Sequence, residues 1–133
     1  MDEQAARDIF NAVRWLDEAG GLFLLIPRIG DKITAFDLGR DESWEVDWLV
    51  RFEDEDFRWI NVRQAPGGDL LVLYERGLLC IDHAGRMRWH VLHDNLSAGF
   101  AGVDNAEVTI RSEFPEMVGW VRRYSLATGD LAE

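Results

Sequence analysis

The chain is short of several things at once. It has one cysteine among its 133 residues, which excludes an internal disulfide and fits a reducing compartment. No apolar run approaches the roughly 20 residues a membrane helix needs; the longest, Leu22 to Pro27, has the length of a strand. Met1-Asp2-Glu3-Gln4 is acidic where a secretory signal is basic. These absences point to a cytoplasmic protein with no membrane partner. Positive charge is scarce too, with 14 Lys and Arg against 25 Asp and Glu, a net charge of −11 and a pI near 4.6. Binding DNA or RNA rests on Lys and Arg neutralising phosphates, so direct nucleic-acid binding is disfavoured, as are anionic membranes. A basic protein surface is the partner this charge suits.

Catalytic signatures are also missing. His83, His90 and His93 are the only histidines. His90 and His93 have the spacing that pairs ligands on a helix, but on or just after a strand that spacing points to opposite faces. Cys80 falls in a core register and His83 in a turn, so they make no thiol dyad. Glu53-Asp54-Glu55-Asp56 lacks the alternating ligands and fixed glycine of a calcium loop. Gly20-Gly21 and Gly67-Gly68 have neither the lysine nor the strand-turn-helix order of a phosphate cradle. The expectation is a protein that is not an enzyme, with no cofactor and no metal.

What is present is an apolar, aromatic chain: 47% apolar residues, six Trp and seven Phe. That suffices for one domain, 1–133, with its own core. Asp2 to Glu18 reads as an amphipathic helix, with Ala6, Ile9, Phe10, Val13 and Leu16 on one stripe and Gly20-Gly21 as its C-cap. From there short apolar runs alternate with turn signals. Leu22 to Ile26 is an inner strand ended by Pro27, and Ile33 to Phe36 follows the Gly30-Asp31 turn. In Ser43 to Phe52, Trp44, Val46, Trp48, Val50 and Phe52 alternate onto one face and Glu45, Asp47 and Arg51 onto the other. Strands are expected over Phe57 to Gln64, Leu70 to Tyr74, Leu78 to Ile81, Arg86 to Val91, Phe100 to Val103, Glu107 to Phe114 and Gly119 to Leu126. Turns lie at Ala65-Pro66-Gly67-Gly68, Glu75-Arg76-Gly77, Asp82 to Gly85, Asp104-Asn105 and Thr128-Gly129-Asp130.

The turns recur. Phe36-Asp37-Leu38-Gly39, Ile81-Asp82-His83-Ala84-Gly85 and Tyr124 to Gly129 align at intervals of 45 and 43 residues, within the period of a four-stranded propeller blade. The middle unit, with Leu70 to Leu73, Gly77, Leu79-Cys80-Ile81-Asp82, Gly85 and Trp89, resembles the blade repeat of pyrroloquinoline-quinone-type and WD-type β-propellers. The resemblance implies a mainly β fold: an antiparallel meander of propeller-blade-like repeats at 21–56, 57–93 and 94–133, about nine to eleven strands, with the N-terminal helix 1–20 laid over the sheet. Closed propellers usually have four to eight blades. The meander therefore closes on itself under the helix, or two chains as a homodimer each supply half a ring.

Charge is polarised along the chain. Asp37 to Asp56 holds nine acids against Arg40 and Arg51, whereas Phe57 to His93 holds five arginines against three acids. Carboxylates beside aromatic anchors are a common interface pattern. The expected protein-binding surface is accordingly Asp41, Glu42, Glu45, Asp47, Glu53, Asp54, Glu55 and Asp56 with Trp44, Trp48 and Trp59. A small acidic binding protein of this kind suits an inhibitor of immunity or antitoxin type, or an anti-defence protein that occupies a nucleic-acid groove. The alternative is an assembly module, an incomplete propeller that completes its sheet or ring with another chain.

Overall fold

The computed structural model describes residues 11–27, 30–51, 59–113 and 119–132. Within them the chain forms eleven strands in three antiparallel sheets and no helix. The first sheet is a meander of β1 (Asn11–Asp17), β2 (Leu22–Pro27), β3 (Lys32–Asp37) and β4 (Glu42–Trp48). The second is β5 (Ile60–Gln64), β6 (Leu70–Tyr74), β7 (Gly77–Ile81) and β8 (Met87–Leu92). The third holds β9 (Ala98–Val103), β10 (Glu107–Ser112) and β11 (Val121–Ser125). Contacts divide the chain into two compact units. One is 1–58 together with the β7–β8 turn, His83–Arg86; the other is 59–82 with 87–133. No helix in the described residues is long and apolar enough to cross a membrane.

The helix expected over Asp2 to Glu18 is corrected where the segment is described: Asn11–Asp17 is β1, paired antiparallel with β2. Residues 2–10 lie outside the described residues. Val13 and Leu16 satisfy a helical stripe, but Val13 and Trp15 also alternate with Arg14 and Leu16. That period is the one that pays here, because Val13 and Trp15 meet Leu25 and Phe23 across the ladder. Gly20-Gly21 is the hairpin turn and not a C-cap. Gly20 N–H donates to Asp17 Oδ1 at 3.1 Å, Gly21 N–H donates to the Glu18 carbonyl at 3.2 Å, and Gly21 adopts φ +79°. Asp37 repeats the device at the β3–β4 turn, where its Oδ1 accepts the Arg40 N–H at 3.1 Å.

In the first unit the buried face of the sheet carries Leu24, Ile26, Ile33 and Ala35, all fully buried. In the second unit every residue of β6 and β7 is buried, as expected of continuous apolar runs covered on both faces. Leu71, Leu73, Leu78, Cys80 and Trp89 from the second sheet share one core with Ala98, Val108, Ile110, Tyr124 and Leu126 from the third strand set and its flanks. Gly77 closes the two-residue turn Glu75-Arg76 opposite Tyr74, at a spot where any Cβ would run into the Tyr74 ring. Leu73→Ala should therefore cost about 2–5 kcal/mol, since it empties a fully enclosed site; a urea midpoint unchanged from wild type would contradict this packing.

Candidate functional site

Six tryptophans sort into two classes. Four send their indole N–H to a distant oxygen: Trp44 Nε1 to the Gly85 carbonyl at 2.8 Å, Trp59 Nε1 to the Leu96 carbonyl at 2.8 Å, Trp89 Nε1 to the Leu126 carbonyl at 2.7 Å, and Trp120 Nε1 to Asp94 Oδ1 at 3.2 Å. These are staples between a strand or strand end and a turn or loop, each within one compact unit. Trp15 and Trp48 are the exception. They are 47% and 51% exposed, and both belong to the first sheet.

The register of that sheet places them on the same open face. Trp15 pairs with Phe23, Phe23 with Phe36, and Phe36 with Ser43. The rings of Trp15, Phe23 and Phe36 form a row with centroid separations of 5.0 and 5.2 Å. Two residues along, Val13, Leu25, Thr34 and Glu45 form the next row. Between Ile33 and Thr34 the β3–β4 ladder skips Val46, so that Thr34 faces Glu45, Ile33 faces Asp47 and Lys32 faces Trp48. This is a β-bulge: one extra residue resets the alternation.

The strict alternation expected for Ser43 to Phe52 is thereby corrected. Trp44, paired with Ala35, lies on the buried face, where Arg86 stacks 4.4 Å over its ring beside the Gly85 hydrogen bond. Glu45 and Trp48 share the open face with the Trp15 row, and the Lys32 ammonium lies 5.8 Å from the Trp48 ring. Leu49, not Val50, turns inward; it is buried while Val50 is exposed. Phe52 lies outside the described residues, as do Glu53, Asp54, Glu55 and Asp56.

The remaining expected site residues disperse. Asp41 sits in the β3–β4 turn at φ +52° and is exposed, as are Glu42 and Glu45. Asp47 is half-buried and its Oδ1 accepts the Trp48 N–H at 2.8 Å. Trp59 belongs to the second unit, tied by its indole to Leu96 and by its backbone N–H to Glu75 Oε2 at 3.3 Å. The open face also includes Trp15, Phe23 and Phe36, which the sequence reading did not assign to it. The signal was there, as Trp15 fell off the apolar stripe of the supposed helix.

A second polar cluster surrounds the buried Tyr74. Its hydroxyl is 2.6 Å from His90 Nε2, and its carbonyl accepts from His93 Nε2 at 2.9 Å. His93 Nδ1 accepts the Asn95 N–H at 3.2 Å, and its backbone N–H donates to the Arg76 carbonyl at 2.9 Å. With one ring nitrogen donating and the other accepting, His93 is held neutral. Burial pushes its pKa down, against weaker opposing effects of the Tyr74 carbonyl and Asp94. His83 is exposed in the turn.

Cys80 is buried, and its thiol is pushed up to about 12, first by burial and then by the charge of Asp69, with Arg88 opposing. Asp69 itself is ion-paired with Arg88. A thiol so held carries almost no thiolate near neutral pH and is a poor nucleophile. Among the described residues no three His, Cys, Asp or Glu side chains gather as metal ligands. No protein-family model matches the chain, and no curated protein matches its sequence.

Two outcomes follow from this geometry. Trp44→Phe keeps the ring but loses the bond to Gly85, leaving that carbonyl without its indole donor, and should cost about 1 kcal/mol, whereas Trp48→Ala should stay within about 0.5 kcal/mol of wild type; chemical denaturation compares them directly. For His93, the folded-state pKa lies below the ordinary 6.5, so the stability it contributes is fully present above that value and lost as pH falls through the folded value. The stability gap between wild type and His93→Gln should accordingly narrow as pH drops from about 8 to about 5; a gap that widens would mean His93 is favoured as the cation.

Proposed function

We propose that this chain is a non-enzymatic protein-binding module, and that the open face of its first sheet engages a basic protein surface. One observation carries the reading. Four tryptophans are committed to staples, while Trp15 and Trp48 stand exposed on the face that also presents Phe23, Phe36 and Glu45. Exposed aromatics that share a face with a carboxylate suit Arg and Lys side chains, through cation–π contact with the rings and a charge-assisted bond to the carboxylate. Lys32 over Trp48 is an internal instance of the same chemistry. The first unit also carries most of the charge imbalance, with fifteen acids against eight basic residues. An inhibitor that covers a basic groove on another protein is the role this combination fits best.

The three meanders are read here as propeller-blade-like repeats. Support comes from their common antiparallel order and from the Asp-led turns that close β1–β2 and β3–β4. The blade reading concerns architecture, and the binding proposal does not depend on it.

An oligoarginine peptide is the simplest probe, with binding followed by titration calorimetry. A chain this acidic will attract such a peptide non-specifically, so the test lies in the side chains. Trp15→Ala with Trp48→Ala should weaken binding roughly threefold to thirtyfold, and Glu45→Lys should weaken it further while reducing its dependence on salt. Affinity unchanged by the paired tryptophan substitutions would remove this face from the proposal.

A further inference from the structure

One imidazole fastens the loop that joins β8 to β9. His93, just past the end of β8, donates its backbone N–H to the Arg76 carbonyl at 2.9 Å and its Nε2–H to the Tyr74 carbonyl at 2.9 Å, while its Nδ1 accepts the Asn95 N–H at 3.2 Å. The ring therefore ties the β6–β7 turn on one side to the loop on the other. Asn95, 2% exposed, carries the connection onward. Its Oδ1 accepts the Ser97 N–H at 2.9 Å and the Ser97 hydroxyl at 3.1 Å, and the Ser97 carbonyl accepts the Glu113 N–H at 2.9 Å.

Two of the four indole staples end on this loop. Trp59 Nε1 donates to the Leu96 carbonyl and Trp120 Nε1 to Asp94 Oδ1. Trp120 also meets the His93 ring edge-on, with centroids 6.0 Å apart. Trp44 and Trp89 end elsewhere, on Gly85 and Leu126. The placement of Asp94 to Ser97 thus decides what two particular indoles bond to.

Protonation reverses the role of one atom. A neutral imidazole accepts at one nitrogen, whereas an imidazolium donates from both. The Nε2–H bond to Tyr74 survives that change, but a protonated Nδ1 faces the Asn95 N–H donor against donor. The cation also competes with Trp120 for the neighbouring Asp94 carboxylate. Other charged and titratable groups surround the ring. Glu75 and Arg76 of the β6–β7 turn carry opposite signs, and on β8 His90 lies 2.6 Å from the Tyr74 hydroxyl. Across an open cleft that His93 and Asp94 line, Arg122, Tyr124 and Asp130 face them. Asp94 and Asp130 favour the cation and Arg122 opposes it. Burial outweighs the groups that favour it and keeps the His93 pKa below 6.5.

We propose that His93 is a pH-operated latch: the neutral ring holds the β8–β9 loop closed, and the imidazolium releases Asp94 to Ser97 together with the indole bonds of Trp59 and Trp120. Closure that disfavours the cation is, by linkage, undone by protonation. The latch is closed above pH 6.5 and opens as pH falls through the folded-state value. Asp94 and Leu96 are exposed, so the loop lifts while the ladders of β6, β7 and β8 stay paired. The device lies wholly in the second unit and is independent of the open-face reading.

Nuclear magnetic resonance on the ¹⁵N-labelled full chain tests it, because the six indole N–H signals are countable and assignable by single Trp→Phe changes. Between about pH 8 and about pH 5, the Trp59 and Trp120 signals should move along one curve. Its midpoint should coincide with that of the His93 ring's own signals, below 6.5, while Trp44 and Trp89 stay in place. His93→Gln should abolish the paired movement; if that variant does not fold, the coincidence of midpoints in wild type decides. Trp59 and Trp120 signals that hold still while His93 titrates overturn the proposal. So do a midpoint separate from that of His93, movement of all the indoles together, an equal shift in folded His93→Gln, or a ring that stays neutral until the whole chain unfolds.

Discussion

A buried indole brings a polar N–H into the interior, and that donor has to find an oxygen. Trp89, buried in the core, meets that requirement, and three half-buried tryptophans make the same kind of bond, so that four indoles tie distant parts of the chain together within their own units. Trp44 reaches the turn glycine Gly85, Trp89 reaches Leu126 at the end of β11, Trp59 reaches the loop after β8, and Trp120 reaches Asp94. Each bond joins residues at least 26 positions apart. Sheets with short turns are held by local ladders; these staples fix the loops around them. Gly85 and Gly129 fit the same scheme, because both adopt positive φ and lie against an indole ring, Trp44 and Trp89 respectively, where a Cβ would crowd the ring.

In the second unit the stapling works together with a polar node. Tyr74 is wholly buried, yet its hydroxyl, its carbonyl and the adjoining Glu75 carboxylate all have partners: His90, His93 and the Trp59 N–H. The two-residue β6–β7 turn therefore gathers the start of β5, the end of β8 and the loop beyond it around one point. Polar groups at such depth are tolerable when satisfied, and they then specify one arrangement more sharply than apolar packing does. Both histidines have their place here as hydrogen-bonding parts of the fold.

Much of the β architecture was legible because the turns announce themselves. Gly67-Gly68, Asp104-Asn105 and Thr128 to Asp130 punctuate the chain, and β6 and β7 are apolar at nearly every position. Two features were not legible, for different reasons. Asn11–Asp17 satisfies helical and strand periods together, and what decides between them is the cross-strand row Trp15–Phe23–Phe36, which is invisible until the partners are known. The face assignment in β4 failed because a bulge leaves no mark in composition. Perfect alternation from Trp44 to Phe52 looks like a regular strand, and only the ladder with β3 reveals the extra residue. The candidate surface inherits that error in part: Trp48 and Glu45 remain together on it, while Trp44 and Trp59 serve as staples.

The skipped residue in β4 also determines how this surface can vary over evolutionary time. Point changes on the first sheet alter one side chain each. Loss of the Val46 codon would instead straighten the ladder and leave every face as it is, with Glu45, Asp47 and Trp48 still opposite Thr34, Ile33 and Lys32. The bulge is thus the place where this strand can shorten by one residue without changing what the sheet shows to the outside, between the turn held by Asp37 on one side and the Leu49 N–H bond to the Asp31 carbonyl on the other.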